Sequence, residues 1–175
     1  TVTMPKADNS PYGSPSAFAL NPLFVSPEWL LEDGLIEQTD VDDARLPEKA
    51  SVHYPTVAKR KNELLDNAFH VFRQNSKNLD QLARFDQQNA FWLRDFACFL
   101  VLKSRYKGKT WRQWPDAWAR REKSLDRLIE SDPDAYQREL FIQFILAKQW
   151  RRLRDYCKAK NVQLFGDIPI YVEYD

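Results

Sequence analysis

The stretch Val162-Gln163-Leu164-Phe165-Gly166-Asp167-Ile168-Pro169-Ile170-Tyr171-Val172 decides the fold. Alternation running into an apolar segment predicts a buried strand. Gly166 predicts a turn or a close backbone approach at the strand's end, and Pro169 bars a continuing central strand. Asp167 then falls at the strand's C-terminal tip, where α/β barrels keep their chemistry. A helical pattern leads into this run, so the two form one αβ step. One strand makes no sheet, so partner strands are expected outside these 175 residues. The start on Thr1 fits the same expectation, a piece of a longer α/β domain.

Working backward, residues 57–161 are helical in pattern. Leu64, Leu65, Ala68, Phe69 and Phe72 recur at spacings of three and four. Leu79, Leu82 and Phe85 continue a second helix. A third over Ala90 to Tyr106 is apolar round most of its circumference, which predicts burial on several sides, and Gly108 ends it. Leu125, Leu128 and Ile129 mark a more polar helix. Ser131 or Asp132 caps the next, with Pro133 at its first position. That helix runs to about Lys160 through Phe141, Phe144, Ile145, Trp150, Leu153 and Cys157, with Arg151, Arg152 and Arg154 near the negative end of its dipole.

Residues 1–56 read as loop-rich. Pro5, Pro11, Pro15, Pro22 and Pro27 alternate with Asn, Ser and Gly, and interleaved apolar residues argue for order. Ser26-Pro27-Glu28 supplies an N-cap, a first-turn proline and a first-turn acid. The short helix through Trp29-Leu30-Leu31 stops at Gly34. Residues 37–56 read as a surface loop, with Val52-His53-Tyr54-Pro55 a short extended piece. The organisation is therefore 1–56 loop-rich, 57–161 helical, and 162–175 strand with its following loop.

Composition narrows the function. Lys and Arg total 26 against 25 Asp and Glu, a net charge of +1, which lacks the basic surplus that nucleic acid or an anionic membrane demands. No apolar run reaches the ~20 residues of a membrane span, and no signal-peptide pattern opens the chain. Cys98 and Cys157 sit in apolar helical patterns and read as buried free thiols of a reducing, cytoplasmic compartment. No P-loop, GxGxxG, CxxC pair or HExxH is present, so neither metal nor cofactor is expected. Six Trp, seven Tyr and eleven Phe serve as core filler or as platforms for sugar rings. Trp111, Trp114 and Trp118 read as core or subdomain packing, or else as a surface that stacks on sugar, and Arg120-Arg121-Glu122-Lys123 as a solvated helix face.

Two side chains stand out as candidate ligands of a polyol. Asp167 would hydrogen-bond substrate hydroxyls, or else cap local N–H groups of its turn. Glu173 and Asp175 follow closely, Asp175 as the cap of a further helix. Tyr12 offers a flat face and a hydroxyl, or else pins its loop to the core. Ser10 and Ser14 lack a base, since His53 and His70 share no motif with them, and His70 reads as a helix-surface residue.

The stretch Asn9-Ser-Pro-Tyr-Gly-Ser-Pro-Ser-Ala-Phe-Ala-Leu-Asn-Pro22 resembles the signature loop of the 4-α-glucanotransferases (amylomaltases, or disproportionating enzymes). Phe165-Gly-Asp-Ile-Pro-Ile-Tyr-Val172 resembles the same family's strand-three motif. Trp92-Leu93 with Asp95, and Gln149-Trp150, fit as well. The resemblance spans nearly all of residues 9–175. It implies a fragment of a (β/α)8 TIM barrel, mostly α-helical here because it carries a helical insertion. It implies transfer of part of an α-1,4-glucan or maltooligosaccharide donor to the 4-hydroxyl of a glucose or glucan acceptor. The reaction is a retaining double displacement on two carboxyl groups roughly 5–5.5 Å apart, without a cofactor. Ser10 and Tyr12 match residues lining donor subsites. Asp167 matches the aspartate contacting the sugar at the cleavage point, orienting it and stabilising oxocarbenium charge. Tyr54 matches a tyrosine of a secondary glucan groove, although Pro5-Lys6-Ala7-Asp8 lacks its companion aromatic. The nucleophile, the acid/base and the stabilising aspartate match nothing within residues 1–175. Two other readings compete: a hydrolysing barrel glycosidase, and a non-catalytic helical carbohydrate-binding or interaction module.

Overall fold

The computed structural model describes residues 2–5, 10, 12–47, 50–120 and 124–172. Glu173, Asp175, the Lys6-Ala7-Asp8 segment and most of the basic run after Arg120 lie outside them. The described chain is mostly helical. Strand β1 (Gly13–Ser14) opens it, followed by helices α1 (Pro27–Glu32), α2 (Gln38–Ala44), α3 (Tyr54–Phe72) and α4 (Ser76–Asn89). Helices α5 (Leu93–Arg105), α6 (Asp116–Ala119), α7 (Leu125–Ser131) and α8 (Pro133–Ala159) come next, and strand β2 (Tyr171–Val172) last.

Helix α8 is the axis of the packing. Its stretch Leu140-Phe141-Ile142-Gln143-Phe144-Ile145-Leu146 is apolar except for Gln143. A helix apolar all round is buried all round. Phe141, Ile142 and Ile145 are buried completely or nearly so, against Leu65, Ala68 and Phe69 of α3 and Leu93, Ala97 and Cys98 of α5. An aromatic seam joins the layers: Phe141 lies 5.4 Å from Phe69 and 4.9 Å from Phe72, and Phe144 lies 5.7 Å from Phe72 and 5.5 Å from Phe85, between ring centroids.

Local chemistry explains most element ends. The Ser26 hydroxyl accepts from the Trp29 N–H, and Gly34 takes a positive φ just past α1. Lys107 and Gly108 both turn left-handed after α5. Asp132 stands at the N-cap of α8 without capping it: its carboxylate pairs instead with Arg105, 3.3 Å away. The surface loop expected over 37–56 contains α2, built on a capping box between Glu37 and Asp40, with Val41 buried beneath. Of the piece expected to be extended over 52–55, Tyr54 and Pro55 belong instead to the first turn of α3, with His53 at its N-cap position.

The run expected as a buried strand differs most. Only Tyr171–Val172 is strand, and Leu164, Phe165, Ile168 and Ile170 are exposed. A parallel strand is buried by layers on both faces, and β1 is the only ladder partner of β2 among the described residues. Gly166 makes neither a left-handed turn nor a close approach, and a methyl group added there would touch nothing. The last turns of α8 are likewise uncovered, so Leu153 is exposed and Cys157 only half-buried, whereas Cys98 is buried as expected.

Burial between α4, α5 and α8 perturbs a polar group. The Tyr136 hydroxyl donates toward Asp86 at 3.5 Å. Burial pushes the Asp86 carboxyl above its ordinary value, against that hydrogen bond and the Arg94 charge. Burial also pushes the Cys98 thiol up to about 11. A carboxyl raised on folding makes the native state bind more protons than the unfolded one, so stability falls as pH rises through that window. Asp86→Asn keeps an acceptor for Tyr136 and cannot ionise. It is expected to remove the falling slope above the ordinary carboxylate range and to raise the urea midpoint at neutral pH. Denaturation series from acid to neutral pH check this.

Candidate functional site

Two distant stretches meet where β1 pairs with β2 in parallel. Gly13 faces Tyr171 and Ser14 faces Val172, and the Tyr171 N–H donates to the Tyr12 carbonyl at 3.0 Å. This ladder places the Tyr12 turn beside the strand that begins four residues after Asp167. Tyr12 is 48% exposed, so its ring does not pin the loop to the core.

The serines of the loop shape it. The Ser10 hydroxyl accepts from the Tyr12 N–H at 3.4 Å. Ser14 is buried; its hydroxyl donates to the Ser16 carbonyl at 2.6 Å and accepts from the Ser16 N–H at 3.2 Å. The Ser16 hydroxyl accepts from Phe18 and Ala19, both at 3.2 Å. These are side-chain-to-backbone turns, and they bend the chain so that Phe18 points outward. Phe18 stacks on Trp92 at 5.9 Å and meets Phe91 edge-on at 5.2 Å, with Phe91 75% exposed. Sequence reasoning did not assemble this ledge, because its members lie over seventy positions apart in the chain.

Asp167 is exposed, and one carboxylate oxygen accepts from the Ile168 N–H at 2.8 Å. That bond occupies one lone pair and leaves the rest of the carboxylate facing solvent. Tyr54 is 44% exposed on the first turn of α3, beside an open groove of about 440 Å³ lined by Leu46, Pro47, Val52 and His53. The β1·β2 ladder does not reach it. The His53 ring nitrogen lies 2.7 Å from the Thr56 hydroxyl, and His70 is exposed on α3. Trp114 is buried against Phe99 and Tyr106, at 5.7 and 5.9 Å, and its indole N–H donates to Lys109 O. Arg120 is exposed beside Asp116. Among the described residues no group of three His, Cys, Asp or Glu is placed to hold a metal ion. No helix among them is long and apolar enough to cross a membrane.

Two buried glutamines of α8 fasten the loop region. The Gln143 carboxamide accepts from Leu20 N–H at 2.9 Å and donates to Leu20 O at 3.1 Å. The Gln149 carboxamide does the same to Ser26, at 2.8 and 3.2 Å. Sequence reasoning noted Gln149 only as part of a motif and passed over Gln143.

Known proteins resemble this chain along nearly its whole length. The family model for 4-alpha-glucanotransferase matches residues 1–175. A 4-alpha-glucanotransferase of Aquifex aeolicus is 36% identical over 170 residues, covering 97% of this chain and 33% of the relative. The Clostridium butyricum enzyme of that name is 31% identical, covering 95% of this chain and 34% of its own. The chloroplastic/amyloplastic enzyme of Solanum tuberosum is 30% identical, covering 95% and 29%. Among solved structures, amylomaltase from Streptococcus agalactiae in complex with acarbose superposes with a TM-score of 0.91 at 28% identity, covering 99% of this chain and 36% of that one. The chain thus spans about a third of the length of its relatives. A match along the whole chain, with both motif stretches meeting at one ladder, makes this chain a member of the 4-alpha-glucanotransferase family.

Proposed function

We propose that the full-length protein carrying this chain is a cytoplasmic 4-α-glucanotransferase built on a (β/α)8 barrel. In this reading residues 1–56 and 162–175 belong to the barrel, and residues 57–161 supply a helical insertion and one barrel helix. The protein cleaves an α-1,4-glucan donor, holds the glycosyl piece covalently, and passes it to the 4-hydroxyl of glucose or another glucan. The nucleophile and acid/base are supplied by residues outside 1–175.

This chain contributes substrate binding. Ser10 shapes the turn that presents Tyr12, whose ring face suits the apolar face of a pyranose. Asp167 accepts from sugar hydroxyls and lends negative charge as the oxocarbenium develops. Tyr54 serves a secondary glucan contact on the α3 side. Transfer prevails over hydrolysis when the acceptor is held and water excluded. The observation that carries the reading is the β1·β2 register, which pairs the segment after the Tyr12 turn with the strand that follows Asp167.

The test is to incubate the full-length protein with maltotriose and resolve the products. Glucose together with maltooligosaccharides longer than the substrate is the expected result. Glucose and maltose alone would make the protein a hydrolase. Binding without turnover would favour a carbohydrate-binding module.

A further inference from the structure

We infer that Gln143 is a positioning residue for the sugar-binding loop, an inference that rests on the transferase reading above. Gln143 is 3% exposed and sits between apolar neighbours on α8. A buried carboxamide without partners is costly. Here its oxygen and one amino hydrogen are both spent on the backbone of one residue, Leu20.

Gln149 provides a built-in comparison. Both glutamines bind a residue 123 positions earlier in the chain. Residues 20–26 therefore follow α8 in a fixed register, held at two points by the same kind of pair. The two points differ in what lies beyond them. Ser26 is the N-cap of α1. Leu20 closes the 10–20 loop, where the Met4 N–H donates to Ala19 O and the Asn21 N–H donates to Val2 O, each at 3.0 Å.

From Leu20 the Ser16 and Ser14 turns lead back to β1 and the Tyr12 carbonyl. From α8 the chain leads forward to Asp167 and β2. Gln143 is the side chain that ties these two routes together at their base. Its carboxamide sets the offset of the Tyr12 turn from the element that delivers Asp167. It touches no substrate, and it acts through Leu20.

The test compares three variants of the full-length protein at a temperature where each is folded. Gln143→Leu and Gln149→Leu each leave one buried N–H and one C=O unpaired, so their melting temperatures are expected to fall alike. Gln143→Leu is expected to lower kcat/KM for maltotriose by about 10- to 100-fold through mispositioning, and Gln149→Leu by less than about 3-fold. Gln143→Glu adds a readout that packing alone does not move. A buried carboxyl beside a carbonyl oxygen has a raised pKa. Its protonated form again accepts from Leu20 N–H and donates to Leu20 O. The ratio of its kcat/KM to that of the wild type is therefore expected to rise as pH falls. Equal losses in the two leucine variants, or a pH-independent ratio for Gln143→Glu, would overturn the inference. A wild-type protein without transfer activity would overturn the transferase reading, and the inference with it.

Discussion

Asp167→Ala in the full-length protein is expected to lower kcat/KM for maltotriose by roughly 10²- to 10³-fold, the scale of removing one preorganised charge-stabilising group. Thermal stability is expected to stay nearly unchanged, because Asp167 is exposed and its one hydrogen bond among the described residues joins its own turn. The alanine variant alone does not separate contact with the sugar from capping of the turn. Asp167→Asn does. The asparagine oxygen still accepts from the Ile168 N–H, so a capping role would survive, while the negative charge is gone. Steady-state kinetics on both variants decide. A crippled asparagine variant assigns the carboxylate to the sugar. An asparagine variant as active as wild type reduces Asp167 to a turn residue.

The helical part of the fold was legible because apolar residues recur with the helical period wherever a helix buries one face. That is why α5 and α8 could be read to within a few residues, and the apolar positions of α3 and α4 could be named. Helix α2 has one buried side chain, Val41, in an otherwise polar stretch. Its periodic signal is one residue long, and only the spacing of Glu37 and Asp40 marks its start. The apolar run 162–172 raised the opposite difficulty. Its composition reports that it is suited to burial, but burial depends on layers contributed by other segments. Among the described residues it has only the two-residue ladder to β1.

The candidate site was legible in the same uneven way. Tyr12 and Asp167 stood out as side chains, since an exposed ring and a carboxylate among turn formers are local signals. The pairing of their two segments was not legible, because a parallel ladder between residues 13–14 and 171–172 leaves no periodic trace. Gln143 did leave a trace. A glutamine inside Leu140-Phe141-Ile142-Gln143-Phe144-Ile145-Leu146 must be buried if its neighbours are, and a buried carboxamide must find backbone partners. That argument predicts a clamp without saying which segment it holds.

The largest loss of stability is expected from Phe141→Ala. Phe141 is fully buried and is the ring on which Phe69 and Phe72 converge. Truncating such a ring removes its transfer free energy and leaves a cavity that only partly collapses, a cost of about 3–5 kcal/mol. A domain's whole stability is about 5–15 kcal/mol, so the variant is expected to unfold at a much lower urea concentration. Phe91→Ala is the matched control. It deletes the same atoms from a ring that is 75% exposed, and its cost is expected to stay within about 0.5 kcal/mol. The same substitution at two burials isolates packing from the chemistry of phenylalanine. A small loss for Phe141→Ala would mean that α3 and α8 close over the space. The register that Gln143 holds against Leu20 would then have to shift with α8 or stretch.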